Sequence, residues 1–542
     1  MTEPDSLTKA RQGGFFTKLS IYGRLSGPAW IQAAVTLGGG SLVGALYLGV
    51  IGGYEFLWLQ PLAMLCGIVM LGAISYVTLS CEERPFRLMQ DKVSPTLAWG
   101  WLLATVVANV VFCAAQFGLG RGAIESNLGG EGLSPFLITG VLFLLSLGLV
   151  ALSQRPGPAS QVIDHVLKGL VGVIVVAFVG VVGVLIGKGA VPVGELLSGL
   201  VPDFGALFRP TSEMETAIEA TQGLSTFWSE YVIAEQRNRI ITAFGTAVAV
   251  NMTFLLPYTL RRRGWGKAHR ELARFDLALG LFLPFVLGVS ALVIASAASF
   301  HAESADVLDE EGSPLPGMEA IFYEVVDKRL AFEHQAFGAL PEEEVMELRE
   351  ALPLEEKRLA AMLANRKVDN LARALEPFLG GSSQIIFGVG VLAMAISTML
   401  VHMMMNGYAI SEACNRVGQA KIFLLGASMP ALTGLFSPWL WSGASKAAMA
   451  VPASVTATTL LPIAYLAFFL LMNSRAALGS ELPRRRAGLN GLLLGTTGVA
   501  TLASVWALSG KGSVGILGMG ALILLAAIGV LGFLKRNRPQ PN

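Results

Sequence analysis

Charged residues are scarce in this sequence. Asp, Glu, Lys and Arg make up 14% of its 542 residues, whereas an ordinary soluble domain carries roughly 25%. Hydrophobic residues make up 53%, and the mean hydropathy is +0.61. A water-soluble protein is therefore excluded. Because the formal net charge is only +1, the chain lacks the excess of basic residues that nucleic acid binding needs, and nucleic acid is excluded as a partner.

Cysteines and catalytic motifs are also scarce. The four cysteines, Cys66, Cys81, Cys113 and Cys414, show no CxxC or Cys/His spacing of a structural metal site. The sequence has no GxSxG, Walker A or HExxH motif and no pair of catalytic acids. An enzyme is therefore not expected, and no cofactor is predicted. An intramembrane enzyme remains a third hypothesis, which would need a titratable partner for His402.

The chain has instead a series of apolar runs of about 20 residues, the length that crosses a hydrocarbon core as a helix. They predict an all-α polytopic membrane protein with about twelve transmembrane helices. The predicted spans are residues 27–51, 54–80, 97–120, 135–153, 162–186, 240–260, 275–300, 380–406, 422–441, 451–472, 489–508 and 514–534. The first 24 residues are polar and basic and lack the features of a cleaved signal, so the first helix is expected to direct insertion.

The loops between these spans alternate in charge. Lys and Arg gather on every second loop, as they do on the cytoplasmic side of membrane proteins. The basic loops carry Arg84, Arg87 and Lys92; Arg155 and Lys168; Arg261, Arg262, Arg263, Lys267, Arg270 and Arg274; Arg416 and Lys421; Arg475, Arg484, Arg485 and Arg486; and Lys535, Arg536 and Arg538. The opposite loops are poor in basic residues or acidic. This alternation predicts a multi-pass protein of the cell membrane with both termini in the cytoplasm.

Hydropathy and charge divide the chain into six regions. They are an N-terminal cytoplasmic tail (1–24), transmembrane helices one to seven (25–301), an acidic extracytoplasmic insertion (302–375), helices eight to ten (376–486), two further helices (487–535) and a C-terminal cytoplasmic tail (536–542). The long segment 302–379 contains a helix-like run at residues 342–365. Its acidic surface could concentrate cations, although a solvated helical hairpin is the simpler interpretation. A second long loop, residues 187–239, is expected on the same side.

Two spans carry residues at their centres that disfavour a continuous helix. The first span has three consecutive glycines, each about 1 kcal/mol less favourable than alanine in a helix, and the sixth has polar residues followed by a proline. The residues are Gly38, Gly39, Gly40 and Ser41 in the first span, and Asn251, Met252, Thr253 and Pro257 in the sixth. Interrupted helices at corresponding places in two five-helix halves mark the binding site of inverted-repeat transporters. All of these residues except Pro257 are therefore predicted to bind substrate, with close helix packing and interhelical hydrogen bonds as the alternative.

Further polar residues lie within the predicted spans. They are Gln32, Gln60, Asn109, Gln116, His402 and Asn406. His402 and Asn406 share one face of the eighth helix, as do Met399 and Met403. Thioether and imidazole groups can bind a soft metal, but a methionine run is more often apolar packing and a lone histidine a hydrogen-bonded structural residue. Almost no carboxylate lies deep within a span.

Short motifs spread along the chain resemble one transporter family. They are Gly27-Pro28, Gly53-Tyr54, Leu57-Trp58, Gly199-Leu200-Val201-Pro202, Arg274-Phe275-Asp276, Phe300-His301, Glu376-Pro377-Phe378-Leu379-Gly380, Leu461-Pro462 and Asn473-Ser474-Arg475. In this order and spacing they resemble the natural resistance-associated macrophage protein (NRAMP) divalent-metal transporters, over roughly residues 27–486 with 302–369 as an insertion. The resemblance implies a LeuT-type inverted repeat of helices one to five and six to ten, two extra C-terminal helices, and import of a divalent metal, usually coupled to protons.

The chain departs from this family at the metal site. The family's first-helix motif is DPGN, whose Asp and Asn bind metal, and the ungapped match places residues 38–41 there. The family's sixth-helix motif, MPHN, falls on residues 250–253, or its methionine falls on Met252 after a slip of two residues. Acids of the family's proton route on the third helix correspond to Phe112 and Ala115, neither of which can titrate.

The predicted metal ligands are therefore Ser41, Asn251, Met252 and Thr253, none of which is anionic. A divalent cation normally needs at least one anionic ligand, so this set favours Mg²⁺ or a neutral solute over Mn²⁺ or Fe²⁺, and little transition-metal uptake is expected. The sequence predicts an NRAMP-like secondary transporter in contact with membrane lipids, whose substrate is a small ion or solute, a divalent metal or an altered substrate. The alternative is a receptor or scaffold that keeps the fold without transporting.

Overall fold

The computed structural model describes residues 3–155, 159–221, 224–334, 336–366, 368–440 and 450–537. Within these ranges the chain is helical, and its only extended pairing is an isolated bridge between Leu308 and Pro314. The predicted all-α class is confirmed. Residues 441 and 538, which the sequence analysis placed at the end of the ninth span and in the C-terminal tail, lie outside the described residues.

The first thirteen helices contain predicted spans one to six. They are α1 Glu3–Gln12, α2 Phe15–Leu25, α3 Pro28–Thr36, α4 Gly39–Gly52, α5 Leu59–Ser80, α6 Pro85–Lys92, α7 Pro95–Asn127, α8 Pro135–Ser153, α9 Ala159–Gly187, α10 Val193–Ser198, α11 Ser212–Ala220, α12 Ser225–Ala247 and α13 Val250–Arg262. Proline opens α3, α7 and α8, where its missing N–H costs nothing and its fixed φ suits the first helical turn.

The remaining helices contain spans seven to twelve and the insertion. They are α14 Arg270–Asp276, α15 Leu283–Phe300, α16 Glu319–Glu333, α17 Glu342–Glu350, α18 Leu354–Leu363, α19 Val368–Ala374, α20 Glu376–Leu379, α21 Ser382–Ala413, α22 Ala420–Leu435, α23 Ser437–Leu440, α24 Ala450–Met472, α25 Arg475–Leu478, α26 Arg486–Ser509 and α27 Gly512–Arg536. A π-helical stretch, Leu277–Phe282, joins α14 to α15 within the seventh span.

Most of the predicted spans meet a length and hydropathy test for membrane crossing. Nine single helices of the described chain meet this test. Two bent helix pairs meet it when each pair is counted as one span: α3 with α4, and the end of α24 with the following turn. The sixth predicted span is not among these eleven. It is the pair α12 and α13, separated by Val248 and Ala249. The chain is therefore a multi-pass membrane protein.

The start of the sixth span differs from the prediction. Helix α12 begins at Ser225, so residues 225–239 are helical where the sequence analysis expected a loop. Hydropathy does not reveal this part of the helix because it carries polar side chains. Among them are Glu235 and Arg239, which form an i,i+4 ion pair at 2.6 Å. The expected helical run at 342–365 is likewise two helices, α17 and α18, because Pro353 interrupts it.

The insertion packs into a small core of its own. We call α11, the first half of α12 and α16 to α18 the satellite unit, because their buried apolar residues form a cluster separate from the membrane core. At its centre Glu356 accepts hydrogen bonds from Trp228 (3.1 Å) and Arg329 (2.6 Å). Arg329 also bonds Glu333 and thereby lowers the pKa of that carboxyl. The satellite unit is therefore a folded, hydrogen-bonded structure with paired charges rather than a loose acidic loop.

Candidate functional site

The first span is broken where the glycine cluster predicts a break. Helix α3 ends at Thr36 and α4 begins at Gly39, and their axes differ by 52°. The side chain of Ser41 donates a hydrogen bond to the Thr36 carbonyl (2.6 Å), and the Gly39 N–H donates to Gln116 Oε1 (2.9 Å). These bonds satisfy backbone groups that a continuous helix would have paired internally.

Helix α21 provides further partners for the first break. Ser397 and Thr398 both donate to the Ala34 carbonyl, at 3.0 and 3.1 Å. An unsatisfied carbonyl in the bilayer core costs several kcal/mol, so these hydroxyls stabilise the broken conformation. Spans one and eight are therefore tied together beside the break.

The sixth span is broken slightly earlier than predicted. Val248 and Ala249 are extended, and Asn251, Met252 and Thr253 already lie in the first turn of α13. Two side-chain bonds support this turn: the Met252 N–H donates to Asn251 Oδ1 (3.0 Å), and Gln32 donates to the Met252 carbonyl (3.1 Å). The prediction placed the break at the polar residues, whereas these residues instead lie in the first turn of the helix that follows it.

A small cavity lies between the two breaks, with a volume of about 20 Å³. Its lining residues are Val35, Gly38, Gly40, Ser41, Phe112, Gln116, Ala249, Asn251, Met252, Thr398 and His402. A cavity of this size holds about one water molecule. An ion bound in this conformation would therefore have to shed most of its hydration shell.

The structure brings most of the predicted site residues to this cavity. Gly38, Gly40, Ser41, Asn251, Met252, Gln116 and His402 line it. Gly39 adjoins it through its bond to Gln116. Asn109 supports it from behind by accepting a hydrogen bond from Asn251 (2.9 Å).

Two predicted residues are directed elsewhere. Thr253 accepts a hydrogen bond from the Trp101 indole at 2.8 Å, and it is not among the residues that line the cavity. Asn406 donates to the Gly426 carbonyl at 2.7 Å and joins α21 to α22. Their helix positions suggested binding roles, but the Thr253 hydroxyl and the Asn406 amide nitrogen bond neighbouring helices, while Asn406 Oδ1 has no partner among the described residues.

His402 is the most available polar group at the cavity. Its side chain is only 2% exposed, its ring stacks on Phe112 with centroids 5.4 Å apart, and no side chain of the described residues bonds its Nδ1. A bound substrate could therefore contact the imidazole without displacing a side-chain partner. Thr398, which the sequence analysis did not single out, lies one turn before His402 on the same face of α21.

The cavity carries no carboxylate. Among the described residues no group of three or more His, Cys, Asp and Glu side chains comes together in a way that could hold a metal. The available donors are the Ser41 and Thr398 hydroxyls, the amides of Gln116 and Asn251, the Met252 thioether and the His402 imidazole. This neutral set of oxygen, nitrogen and sulfur atoms can bind a cation only through dipoles and lone pairs.

Two buried carboxylates lie instead at the basic end of the bundle. Asp276 accepts hydrogen bonds from the Gly27 and Ala29 N–H groups at 2.9 and 2.8 Å and fixes the start of α3. Glu412 accepts one from Tyr258 at 2.8 Å, and Arg84 lies 3.4 Å from the same carboxylate. These groups join spans one, six, seven and eight where the basic loops meet the bundle.

Comparison with solved structures shows the same fold. The manganese transporter of Eremococcus coleocola, in complex with an aromatic bis-isothiourea substituted compound, matches with a TM-score of 0.66 and 14% identity over 97% of this chain and 95% of that chain. Mhp1, a nucleobase-cation-symport-1 family transporter, matches with a TM-score of 0.52 and 13% identity over 94% of this chain and 90% of that one. The predicted LeuT-type transporter fold is confirmed.

Sequence comparison identifies the family. A search of curated proteins gives no match to this chain. The family described as natural resistance-associated macrophage protein-like matches residues 29–313 and 359–509, and the gap between the two matched parts falls within the predicted insertion. Because these two parts cover most of the chain, the protein belongs to the natural resistance-associated macrophage protein-like family.

Proposed function

We propose that this protein is a secondary transporter that carries a divalent metal cation across the cell membrane by alternating access. The observation that carries the proposal is the cavity between two broken helices, lined by a buried imidazole that no side chain of the described residues bonds at Nδ1. Broken helices with freed backbone are how inverted-repeat transporters build a site at mid-membrane. The alternation of basic loops supports both termini in the cytoplasm.

The ligands of the cation are proposed to be Ser41, Asn251, Met252 and His402. The sequence alone does not group His402 with the other three ligands, because no local pattern shows that spans one, six and eight surround one cavity. With an imidazole and a thioether on the same wall, the site suits a borderline or soft cation. Mg²⁺ prefers oxygen ligands and retains several waters, for which a cavity of about 20 Å³ has no room. The geometry therefore favours a first-row transition metal over the Mg²⁺ that the sequence suggested.

Alternating access requires contacts that can open and close on each side of the cavity. At the basic end, the Asp276 bonds to the start of α3 and the contact of Tyr258 with Glu412 close the bundle. At the opposite end, the Arg239 guanidinium lies 4.6 Å from the centre of the Tyr47 ring and joins α12 to α4. We propose that rocking of the helix bundle breaks one set of contacts while the other remains formed.

The receptor or scaffold hypothesis has no specific observation in its favour. A transporter needs a polar cavity between two interrupted helices to hold its substrate at mid-membrane, whereas a receptor or scaffold needs neither the cavity nor the breaks.

Uptake into proteoliposomes tests the proposal, with Mn²⁺ and Mg²⁺ supplied separately. Met252→Leu and His402→Leu keep approximate volume and remove one ligand each. We expect each variant to lower Mn²⁺ uptake at limiting concentration by about tenfold or more, since a single metal contact is worth on that order. Met403→Leu is the matched control, because Met403 is fully buried on α21 but does not line the cavity. Mn²⁺ uptake unchanged in both ligand variants would refute the ligand assignment, and absence of any cation uptake would refute the transport proposal.

A further inference from the structure

A second and larger cavity lies at the basic end of the bundle, between spans two, seven, ten and eleven. Its volume is about 500 Å³, and aliphatic residues of α5 and α26, including Ile68, Val69 and Leu489, form most of its wall. Leu492, also on its wall, is 59% exposed in the isolated chain. In a bilayer this side of α26 faces lipid, so the cavity opens toward the acyl chains.

Two arginines lie at one end of this cavity, which we call its mouth. Arg270 and Arg274 lie four residues apart on the same face of α14. The Arg270 guanidinium lies 4.5 Å from the centre of the Tyr76 ring and bonds Glu481 at 2.7 Å. Arg274 is exposed, and in the described parts of the chain no carboxylate pairs with it. The cavity thus has an apolar body and a cationic mouth.

Glu481 is an acid at this mouth. Hydrogen bonds from Arg270 and Lys267 lower the pKa of Glu481, so it is ionised at neutral pH. Its negative charge therefore neutralises one of the two positive charges, on Arg270 and Lys267, that contact it. Arg274 and the exposed Arg484, Arg485 and Arg486 of the adjoining segment keep the mouth positive.

The length of the cavity matches one leaflet of a bilayer. Along α5 it extends from Ile68 near the middle of the span to Leu79 at its end, a distance of about 16 Å at the rise of an α-helix. Half of a hydrocarbon core is about 15 Å. An acyl chain whose headgroup lies at the arginines would therefore end near the bilayer midplane.

We infer that this cavity binds an anionic phospholipid from the leaflet on the basic side of the protein. Arg274 and Arg270 bind the headgroup phosphate, and one acyl chain lies against Ile68, Val69 and Leu489. Basic pockets between transmembrane helices recognise anionic headgroups in this way. The apolar wall distinguishes the lipid from a free phosphate ion, which would use the arginines alone.

Two variants address the two ends of the site separately. Arg274→Gln removes the charge, and Arg416→Gln is its control, because Arg416 is an exposed arginine of another basic loop. Gly72→Leu fills the apolar part: Gly72 lines the cavity, and a Cβ added there meets no atom within 4 Å, so the larger side chain enters open space. Gly140→Leu is the control, since Gly140 on α8 is equally open and lies outside the cavity.

The experiment is native mass spectrometry of the full chain after exchange into detergent with equal amounts of phosphatidylglycerol and phosphatidylcholine. We expect preferential retention of phosphatidylglycerol, reduced about fivefold by Arg274→Gln, which is the effect of one cation near an anionic surface. Gly72→Leu is expected to abolish retention, and both controls to match the parent chain. Equal retention of the two lipids, or retention unchanged by Gly72→Leu, would overturn the inference. Displacement of the lipid by millimolar inorganic phosphate would show an anion site without a lipid site and would equally overturn it.

Discussion

The breaks in spans one and six serve the same cavity but have different causes. At the first break the glycines belong to the broken helix itself, and Gly38 and Gly39 lie against neighbours that leave no room for a side chain. At the second break the extended residues are Val248 and Ala249, and the glycine that makes space is Gly67 on α5. A Cβ added to Gly67 would lie 2.1 Å from a methyl carbon of Val248. The first break is therefore indicated by its own glycines and is also held by α7 and α21, whereas the second has no such local signal and depends on tertiary packing alone.

The largest effect is expected at the first break. In Gly38→Ala the new methyl group would lie 2.5 Å from Thr398 Oγ1 and 2.9 Å from the Val35 carbonyl oxygen. Because one of these neighbours is backbone of α3 on the other side of the break, the break must change shape, and a displacement near 1 Å at a reacting or binding centre costs about 100-fold. We expect cation uptake to fall by that order. The double variant Gly38→Ala/Thr398→Ala should not recover, since the Val35 carbonyl remains.

Gly183→Ala is the control for this prediction, because a Cβ at Gly183 on α9 meets nothing within 4 Å. Uptake is measured in proteoliposomes at equal amounts of inserted protein. Normal uptake by Gly38→Ala would show that the cavity does not depend on the shape of the first break, and the contrast between the two breaks would then be wrong.

At the second break we expect a smaller loss of uptake, which a second substitution should restore. Gly67→Ala forces its methyl group against the Val248 side chain, and overpacking of this kind costs about 1–3 kcal/mol. We expect uptake to fall about tenfold, less than for Gly38→Ala, because a side chain can move more easily than a carbonyl. The double variant Gly67→Ala/Val248→Ala removes the methyl carbons that collide and should restore most of the uptake. A double variant as impaired as Gly67→Ala alone would contradict the proposed role of Gly67.

The same contrast explains what the sequence could predict. Long apolar runs depend only on local composition, so spans with strong hydropathy were predicted within a few residues, as for residues 135–153 and α8. The first break followed from the low helix propensity of glycine. Hydropathy did not predict the early start of α12, because the first part of this helix is polar and packs in the satellite unit. No local pattern in the sequence reveals that packing.

The cavity could be predicted only in part for a related reason. Ser41, Asn251 and Met252 lie at the breaks, so a local argument finds them. His402 and Thr398 belong to a continuous helix, α21, and they join the site only because that helix packs across the first break. Thr253 shows the reverse case, since its position in span six suggested a ligand, but the indole of Trp101 binds it. Which polar groups face a cavity depends on contacts between helices that are distant in sequence.

We expect changes in the satellite unit to have the smallest effect on transport. They also give the clearest test of whether the second break depends on this unit. Helix α12 begins in this unit and ends at the second break, so a rigid connection would transmit a disturbance to the cavity. Glu356→Ala leaves Arg329, which is only 5% exposed, without its buried partner, and breaking such a pair costs about 3–5 kcal/mol. We expect hydrogen exchange in α16 and α18 to accelerate strongly while uptake changes by less than about twofold.

Glu355→Ala provides the matched control on the same helix, because Glu355 pairs with Arg358 at 2.8 Å and both side chains are largely exposed. Pairs of this kind contribute at most about 1 kcal/mol, so neither exchange nor uptake should change appreciably. If uptake by Glu356→Ala fell in proportion to the loss of protection in α18, the satellite unit would hold the second break in place. The packing that shapes this break would then extend from Gly67 on one side to the insertion on the other, and only the first break would carry a signal in its own residues.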